Sequence, residues 1–190
     1  LCLSVIPMLF LVAAVQGPAQ EVGREESAAA GRVFKIIDRL IRDQVKRPSR
    51  KQPPVSLTEF EINAYIAQRI VIDKEEVLRA LQIKLFEENR IEGRIFLDLK
   101  NYRIPALFRP EMNLFFSGKL ELEEGLVRLN LNELFLEGQR IQPMLLDAVI
   151  SFVSRIQNQE VTSIDDWYEL PYGITSLKTE KGSATFFFQD

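Results

Sequence analysis

Pairs of adjacent carboxylates are the residues best suited to chemistry in this chain, and three such pairs stand at 87–88, 123–124 and 165–166. Acid–base catalysis by two carboxylates needs them in different environments across a substrate. Adjacent residues on a strand point to opposite faces of the sheet, so neighbouring carboxylates do not provide this arrangement there. The pair at 165–166 is the most site-like, because Trp167 and Tyr168 follow it, but an ordinary loop explains it equally well.

The chain has no histidine, and Cys2 is its only cysteine. Ser-His-Asp and Cys-His nucleophiles, histidine-ligated metals and four-cysteine zinc sites are therefore excluded. We expect a protein that is not an enzyme, with no catalytic residues, no metal and no cofactor.

A basic amphipathic helix is predicted over 27–47. Its apolar residues recur at helical spacing and form one stripe: Val33, Ile36, Ile37, Leu40, Ile41 and Val45. Its opposite face is basic: Arg32, Lys35, Arg39, Arg42, Lys46 and Arg47. The net charge is +6 over 32–51 and −7 over 52–190, so the charge of the chain is strongly polarised.

Two uses of this helix remain open. Its basic face suits an anionic membrane surface, whereas its apolar stripe suits ordinary packing on the domain. Nucleic acid is not expected as a partner, because apart from Phe34 no aromatic residue interleaves with the charges to stack on bases.

The first residues predict an export signal. An uncharged apolar run at 1–15 precedes small residues, and we expect a signal peptide over 1–19 that is cleaved after Ala19. Export to the periplasm or cell envelope follows from this, with retention of the segment as an anchor as the alternative. Residues 20–54 then hold the basic helix and a proline-rich linker, and a compact domain is expected over 55–190.

The domain is predicted to be α+β. Ser56 and Glu59 form a capping-box pattern for a helix from Leu57 to about Arg69. Four segments of alternating hydrophobicity then predict an antiparallel meander, and a final hairpin is expected at 174–179 and 184–188. Between them lies a long apolar helix, 143–157, around which we expect the curved sheet to wrap.

The stretch from Ser56 to Ile66 reads S-L-T-E-F-E-I-N-A-Y-I, and its local motif is T-E-x-E-(I/L)-N-x-Y at Thr58 to Tyr65. With the meander, apolar helix and hairpin that follow, it resembles the YceB-like and LmeA-like bacterial envelope proteins of the tubular lipid-binding (TULIP, SMP-like) superfamily. The resemblance implies a curved sheet cradling a helix, with an elongated apolar groove that accepts acyl chains.

A groove of this kind would be lined by inward-facing apolar residues. The candidate ligand-binding residues are Ile83, Leu85, Ile95, Leu97, Leu114, Phe116, Leu129, Leu131, Val149 and Phe152. The same positions suit a filled core, which periodicity does not distinguish from a groove. The sequence therefore leaves two functions: a carrier of a lipid or other hydrophobic small molecule, or a ligand-free interaction domain that contacts a membrane or protein through its basic helix. It leaves the oligomeric state open.

Overall fold

The computed structural model describes residues 23–46, 52–104, 108–156, 163 and 165–188. The predicted leader and the linker residues 47–51 lie outside these ranges. The described elements are α1 (Arg24–Lys46), β1 (Val55–Thr58), α2 (Glu59–Ile72), β2 (Leu78–Leu85), β3 (Arg90–Asp98), β4 (Glu111–Glu123), β5 (Leu126–Leu136), β6 (Gln139–Arg140), α3 (Pro143–Ile156), β7 (Tyr168–Glu169), β8 (Ile174–Glu180) and β9 (Ser183–Phe188). The α+β class is confirmed.

The large sheet is a curled antiparallel half-barrel. Strands β2 to β6 pair in sequence order, and β7 pairs with β5. The predicted meander is confirmed, because β3, β4 and β5 each pair antiparallel with the strand that precedes them in the chain. A bulge at Ser117/Gly118 interrupts the register between β4 and β5, and bulges of this kind increase the local bend and twist of a sheet.

The terminal hairpin is confirmed as β8 and β9, but it forms a second sheet in which β9 also pairs with β1. This second sheet is tied to the turn between β2 and β3. The Thr179 amide donates to Asn89 Oδ1 at 2.9 Å, and the Gly182 amide donates to the Leu85 carbonyl at 3.0 Å. These bonds fix the two sheets against each other at one end.

The capping box of α2 lies two residues later than predicted, so the assignment to Ser56 and Glu59 is wrong. Thr58 is the N-cap, and its hydroxyl accepts from the Glu61 amide while the Glu61 carboxylate accepts from the Thr58 amide. The sequence fits the cap pattern in both registers. Ser56 is unavailable as a cap because it pairs with Thr185 in the second sheet.

Helix α2 protects the open edge of β2. The Asn63 side chain accepts from the Ile83 amide and donates to the Ile83 carbonyl, both at 2.8 Å. The Glu59 carboxylate accepts from the Leu85 amide at 2.8 Å. Side chains of α2 thus satisfy backbone groups that an uncovered edge strand would expose. Phe60 points outward and is 45% exposed, because the face of α2 that packs inward carries Ile62, Ile66 and Ile70.

Helix α3 has nearly the predicted bounds. It buries one face, made by Leu146, Val149, Ile150 and Val153, while Met144 on another face is 76% exposed. This spacing is that of a helix packed along one side. The wrapping of the sheet around α3 stays a prediction.

Candidate functional site

An apolar pocket lies between α1, α2 and the two sheets. Helix α1 contributes four successive residues of its apolar stripe: Val33, Ile36, Ile37 and Leu40. Ile62 and Tyr65 come from α2. The sheets and their connections supply Val55, Leu57, Ile83, Leu85, Ile91, Leu120, Val127, Leu170, Pro171, Tyr172, Ile174, Leu177, Thr179, Ala184, Phe186 and Phe188.

The pocket is almost free of polar groups. Its empty volume, counted together with the solvent at its open mouth, is about 1080 Å³. None of its lining side chains is charged. Their polar atoms are three hydroxyls, and that of Thr179 already donates to the Phe86 carbonyl. The interior therefore offers almost nothing for water to bind.

Two contacts hold α1 over this pocket. Arg32 forms an ion pair with Glu61 of α2, and the ring of Phe34 lies 5.0 Å from that of Tyr65, measured between centroids. Arg32 remains more than half exposed, whereas Glu61 is buried. The apolar stripe of α1 thus faces the pocket, and the ion pair and the ring contact attach α1 to α2.

The carboxylate of Glu61 accepts hydrogen bonds both from α1 and from the N-cap of α2. One carboxylate oxygen accepts from Arg32, and the other accepts from the amide and hydroxyl of Thr58. Burial by itself raises the pKa of Glu61, but the bonds from Thr58 and the charge of Arg32 outweigh it and hold the pKa below its ordinary value. Glu61 is therefore a buried carboxylate kept in its charged form.

Two of the ten predicted ligand-binding residues line the pocket, and eight do not. Ile83 and Leu85 line the pocket. The other eight lie outside its lining, either buried in the core or packed against it: Ile95, Leu97, Leu114, Phe116, Leu129, Leu131, Val149 and Phe152. The contribution of α1, β1 and the terminal hairpin was not foreseen. The stripe on α1 was the available signal, but its period does not show which surface the helix covers.

The predicted membrane-facing residues differ in whether they form an ion pair within the protein. Arg32 is engaged with Glu61, whereas Lys35, Arg39 and Arg42 are exposed and form no ion pair with a described residue. Arg42 Nε donates to the Asp38 carbonyl within the helix. The side chain of Lys46 and all of Arg47 lie outside the described residues.

Of the two carboxylates at 165–166, that of Asp166 forms a hydrogen bond within a turn. Asp166 accepts from the Ser163 amide at 2.7 Å, and Tyr168 donates its hydroxyl to the Ser163 carbonyl. The guanidinium of Arg128 lies 4.7 Å from the centre of the Trp167 ring. These contacts stabilise the loop before β7. Among the described residues, no group of three carboxylate, histidine or cysteine side chains is placed to hold a metal ion.

No protein-family model, curated protein or solved structure matches the chain. Within the described ranges, no helix has both the length and the apolar character needed to cross a bilayer.

Proposed function

We propose that this protein is a non-catalytic, exported envelope protein that binds a lipid or another hydrophobic small molecule in the pocket beneath α1. The observation that carries the proposal is an apolar pocket beneath α1 whose lining contains no charged side chain. The resemblance of Thr58 to Tyr65 to the TULIP-like envelope proteins points to the same class of ligand.

Transfer of an acyl chain from water into such a pocket is favourable by ~0.8 kcal/mol for each buried methylene. Part of this gain is offset by the lost freedom of ligand and protein on association. Because the lining is uncharged, the bound chain removes no charged side chain from water. The free-energy cost of burying such a charge therefore does not oppose binding. Affinity should therefore rise with chain length until the pocket is full.

In its finer form the proposal includes an elongated groove that continues along the concave face of the large sheet toward α3. Phe116, Val149 and Phe152 would line this extension, with the sheet curved around α3. A long ligand would occupy both parts, and a short ligand would occupy the pocket beneath α1.

The test compares two isoleucines of α1. Ile36 lines the pocket, whereas Ile41, five residues further along α1, is outside it and 38% exposed. Protein purified without detergent is examined by native mass spectrometry, and lipid is identified in an organic extract. We expect bound lipid in the parent protein and in Ile41→Trp, and its loss in Ile36→Trp because the indole fills the pocket.

An empty parent protein that also fails to bind fluorescent fatty acids would refute the carrier function. Retention of the lipid in Ile36→Trp would place the ligand elsewhere.

The exposed cations of α1 favour a second, compatible role at an anionic membrane surface. Lys35, Arg39 and Arg42 project from the helix whose other side covers the pocket. A carrier that docks through this face would bring α1 to the lipid from which the ligand comes. Without a bound ligand, the same surface would make the protein an interaction domain.

A further inference from the structure

Helix α1 covers the pocket without belonging to either sheet. It packs closely on α2, and its apolar stripe shares the lining of the pocket with residues of β1, β8 and β9. Among the described residues, no backbone hydrogen bond joins α1 to another element. The Gln52 side chain donates to Asp43 at 3.3 Å, next to the connection between α1 and β1. Movement of α1 would therefore leave the hydrogen bonds of both sheets and of α2 intact.

An ion pair and a ring contact attach the first half of α1 to α2. Arg32 pairs with Glu61, and the Phe34 ring lies 5.0 Å from the Tyr65 ring. The other end of α1 is joined to β1 through residues 47–54. The ion pair of Arg32 and Glu61, which we call the latch, thus lies in the half of the helix that is distant from its chain connection.

Arg32 belongs both to the latch and to the basic face of α1. Lys35, Arg39 and Arg42 follow it at intervals of three or four residues, so the four cations lie on one side of the helix. The Arg32 side chain is 57% exposed although it pairs with Glu61. A guanidinium has five N–H donors, and it binds phosphate and carboxylate in the same bidentate manner. Anionic lipid headgroups can therefore compete with Glu61 for Arg32.

Opening of α1 in water is unfavourable because it exposes the apolar stripe. Val33 and Leu40 are both buried in the closed arrangement, and the hydrophobic effect favours keeping them there. At a bilayer, the same stripe enters the boundary between headgroups and acyl chains, where an amphipathic helix with a cationic face is stable. An anionic membrane thus lowers both costs of opening, that of the exposed stripe and that of the broken ion pair.

We propose that α1 is a lid on the pocket, and that an anionic membrane surface opens it by competing with Glu61 for Arg32. This inference rests on the proposed function and names the regulation of the same site. Away from the membrane the latch is closed, and a bound ligand is shielded from water. At an anionic surface the latch opens, α1 lies in the interface, and the ligand passes between pocket and bilayer.

The test labels single cysteines with a thiol reagent in the full chain carrying Cys2→Ser. Val33→Cys reports on α1, because Val33 lines the pocket and is buried. Val77→Cys is the matched control, since Val77 is also a buried valine but precedes β2, and its carbonyl accepts from the Asp98 amide. Phosphatidylglycerol vesicles should accelerate the labelling of Val33→Cys at least about fivefold, the factor that ~1 kcal/mol of ion-pair energy provides. They should leave Val77→Cys unchanged, and phosphatidylcholine vesicles should accelerate neither.

Arg32→Met removes the latch and tests its part in the opening. Without vesicles, it should raise the labelling rate of Val33→Cys about fivefold, and phosphatidylglycerol should then add less acceleration than in the parent protein. Arg24→Met is its control, because Arg24 is an exposed cation of α1 that forms no ion pair with a described residue. It should label as the parent does, with and without vesicles.

Labelling of Val33→Cys that is no faster than that of Val77→Cys under every condition would overturn the lid. It would leave the proposed function standing, because the labelling requires no ligand. Equal acceleration by phosphatidylglycerol in the parent protein and in Arg32→Met would show that the membrane does not act through Arg32, and would also overturn the proposal. Failure of the proposed function would appear separately, as a parent protein that carries no lipid.

Discussion

At the scale of single residues, Glu61 connects the start of α2 with the helix that covers the pocket. Its carboxylate accepts from Thr58 on one oxygen and from Arg32 on the other. A buried carboxylate is tolerated only when its oxygens are paired in this way. Loss of its charge therefore weakens both the helix cap and the attachment of α1.

Glu61→Gln tests this role through its pH dependence. Because the folded-state pKa of Glu61 is lowered, its charge stabilises the fold fully above the unfolded pKa of about 4.3, and this contribution is lost as the pH falls through the folded pKa. At neutral pH we expect the variant to lose about 1–2 kcal/mol of unfolding free energy. The difference from the parent protein, measured by urea unfolding, should shrink toward acid pH.

Arg32→Met is the control, because it removes the ion pair and keeps the bonds from Thr58. It should cost less than Glu61→Gln. A difference between parent and Glu61→Gln that is the same at every pH would show that the charge of Glu61 is not what stabilises the protein.

At the scale of elements, the close approach of β3 to β4 depends on a glycine. Gly93 lies opposite Phe116 in the sheet, and the Phe116 ring occupies the space where a side chain at 93 would stand. A Cβ at that position would lie 2.2 Å from Phe116 Cζ. Phe116 is itself buried, so its ring cannot simply turn into solvent.

We expect Gly93→Ala to destabilise the protein by about 1–3 kcal/mol, because the buried ring must shift against its neighbours. Gly31 in α1 provides the contrast, since no atom lies within 4 Å of a Cβ added there. Gly31→Ala should be neutral or should stabilise by up to ~1 kcal/mol through its higher helix propensity. Urea unfolding followed by circular dichroism measures both, and a Gly93→Ala variant as stable as the parent would contradict this account.

At the scale of the whole molecule, charge and apolar surface are arranged on opposite sides of α1. The side over the pocket is apolar, and the side toward solvent carries Lys35, Arg39 and Arg42. The rest of the chain is acidic, at −7 over 52–190. An anionic bilayer would therefore attract the protein through α1 and repel most of its remaining surface.

Sedimentation with phosphatidylglycerol vesicles tests this orientation, with phosphatidylcholine vesicles for comparison. Each cation near an anionic surface contributes ~1 kcal/mol, so Arg39→Glu/Arg42→Glu should weaken binding more than about tenfold. Binding should also fall as salt shortens the range of the attraction. Lys84→Glu/Lys119→Glu makes the same change in net charge on the large sheet and should have a smaller effect. Equal effects of the two double variants would mean that only net charge matters.

The sequence by itself determined the elements whose signal is local. Alternating hydrophobicity identified β2 to β5 and the terminal hairpin, because a half-buried strand requires a period of two. A period near 3.6 identified α1, and α3 was foreseen as 143–157 against the observed Pro143–Ile156. These features depend on neighbours within a few residues, and the α+β class followed from their order.

Only the tertiary structure decided which apolar faces meet. Ser56 pairs with β9 in the second sheet, and its hydroxyl forms a hydrogen bond with the hydroxyl of Thr185, which is 129 residues away in the sequence. That pairing moved the helix cap to Thr58 and brought the terminal hairpin to one wall of the pocket. Helix α1 covers the pocket because it packs on α2. The sequence by itself instead predicts the ligand beside α3. Hydrophobic periodicity marks a face for burial in each element, but the gap left between faces depends on contacts between distant segments.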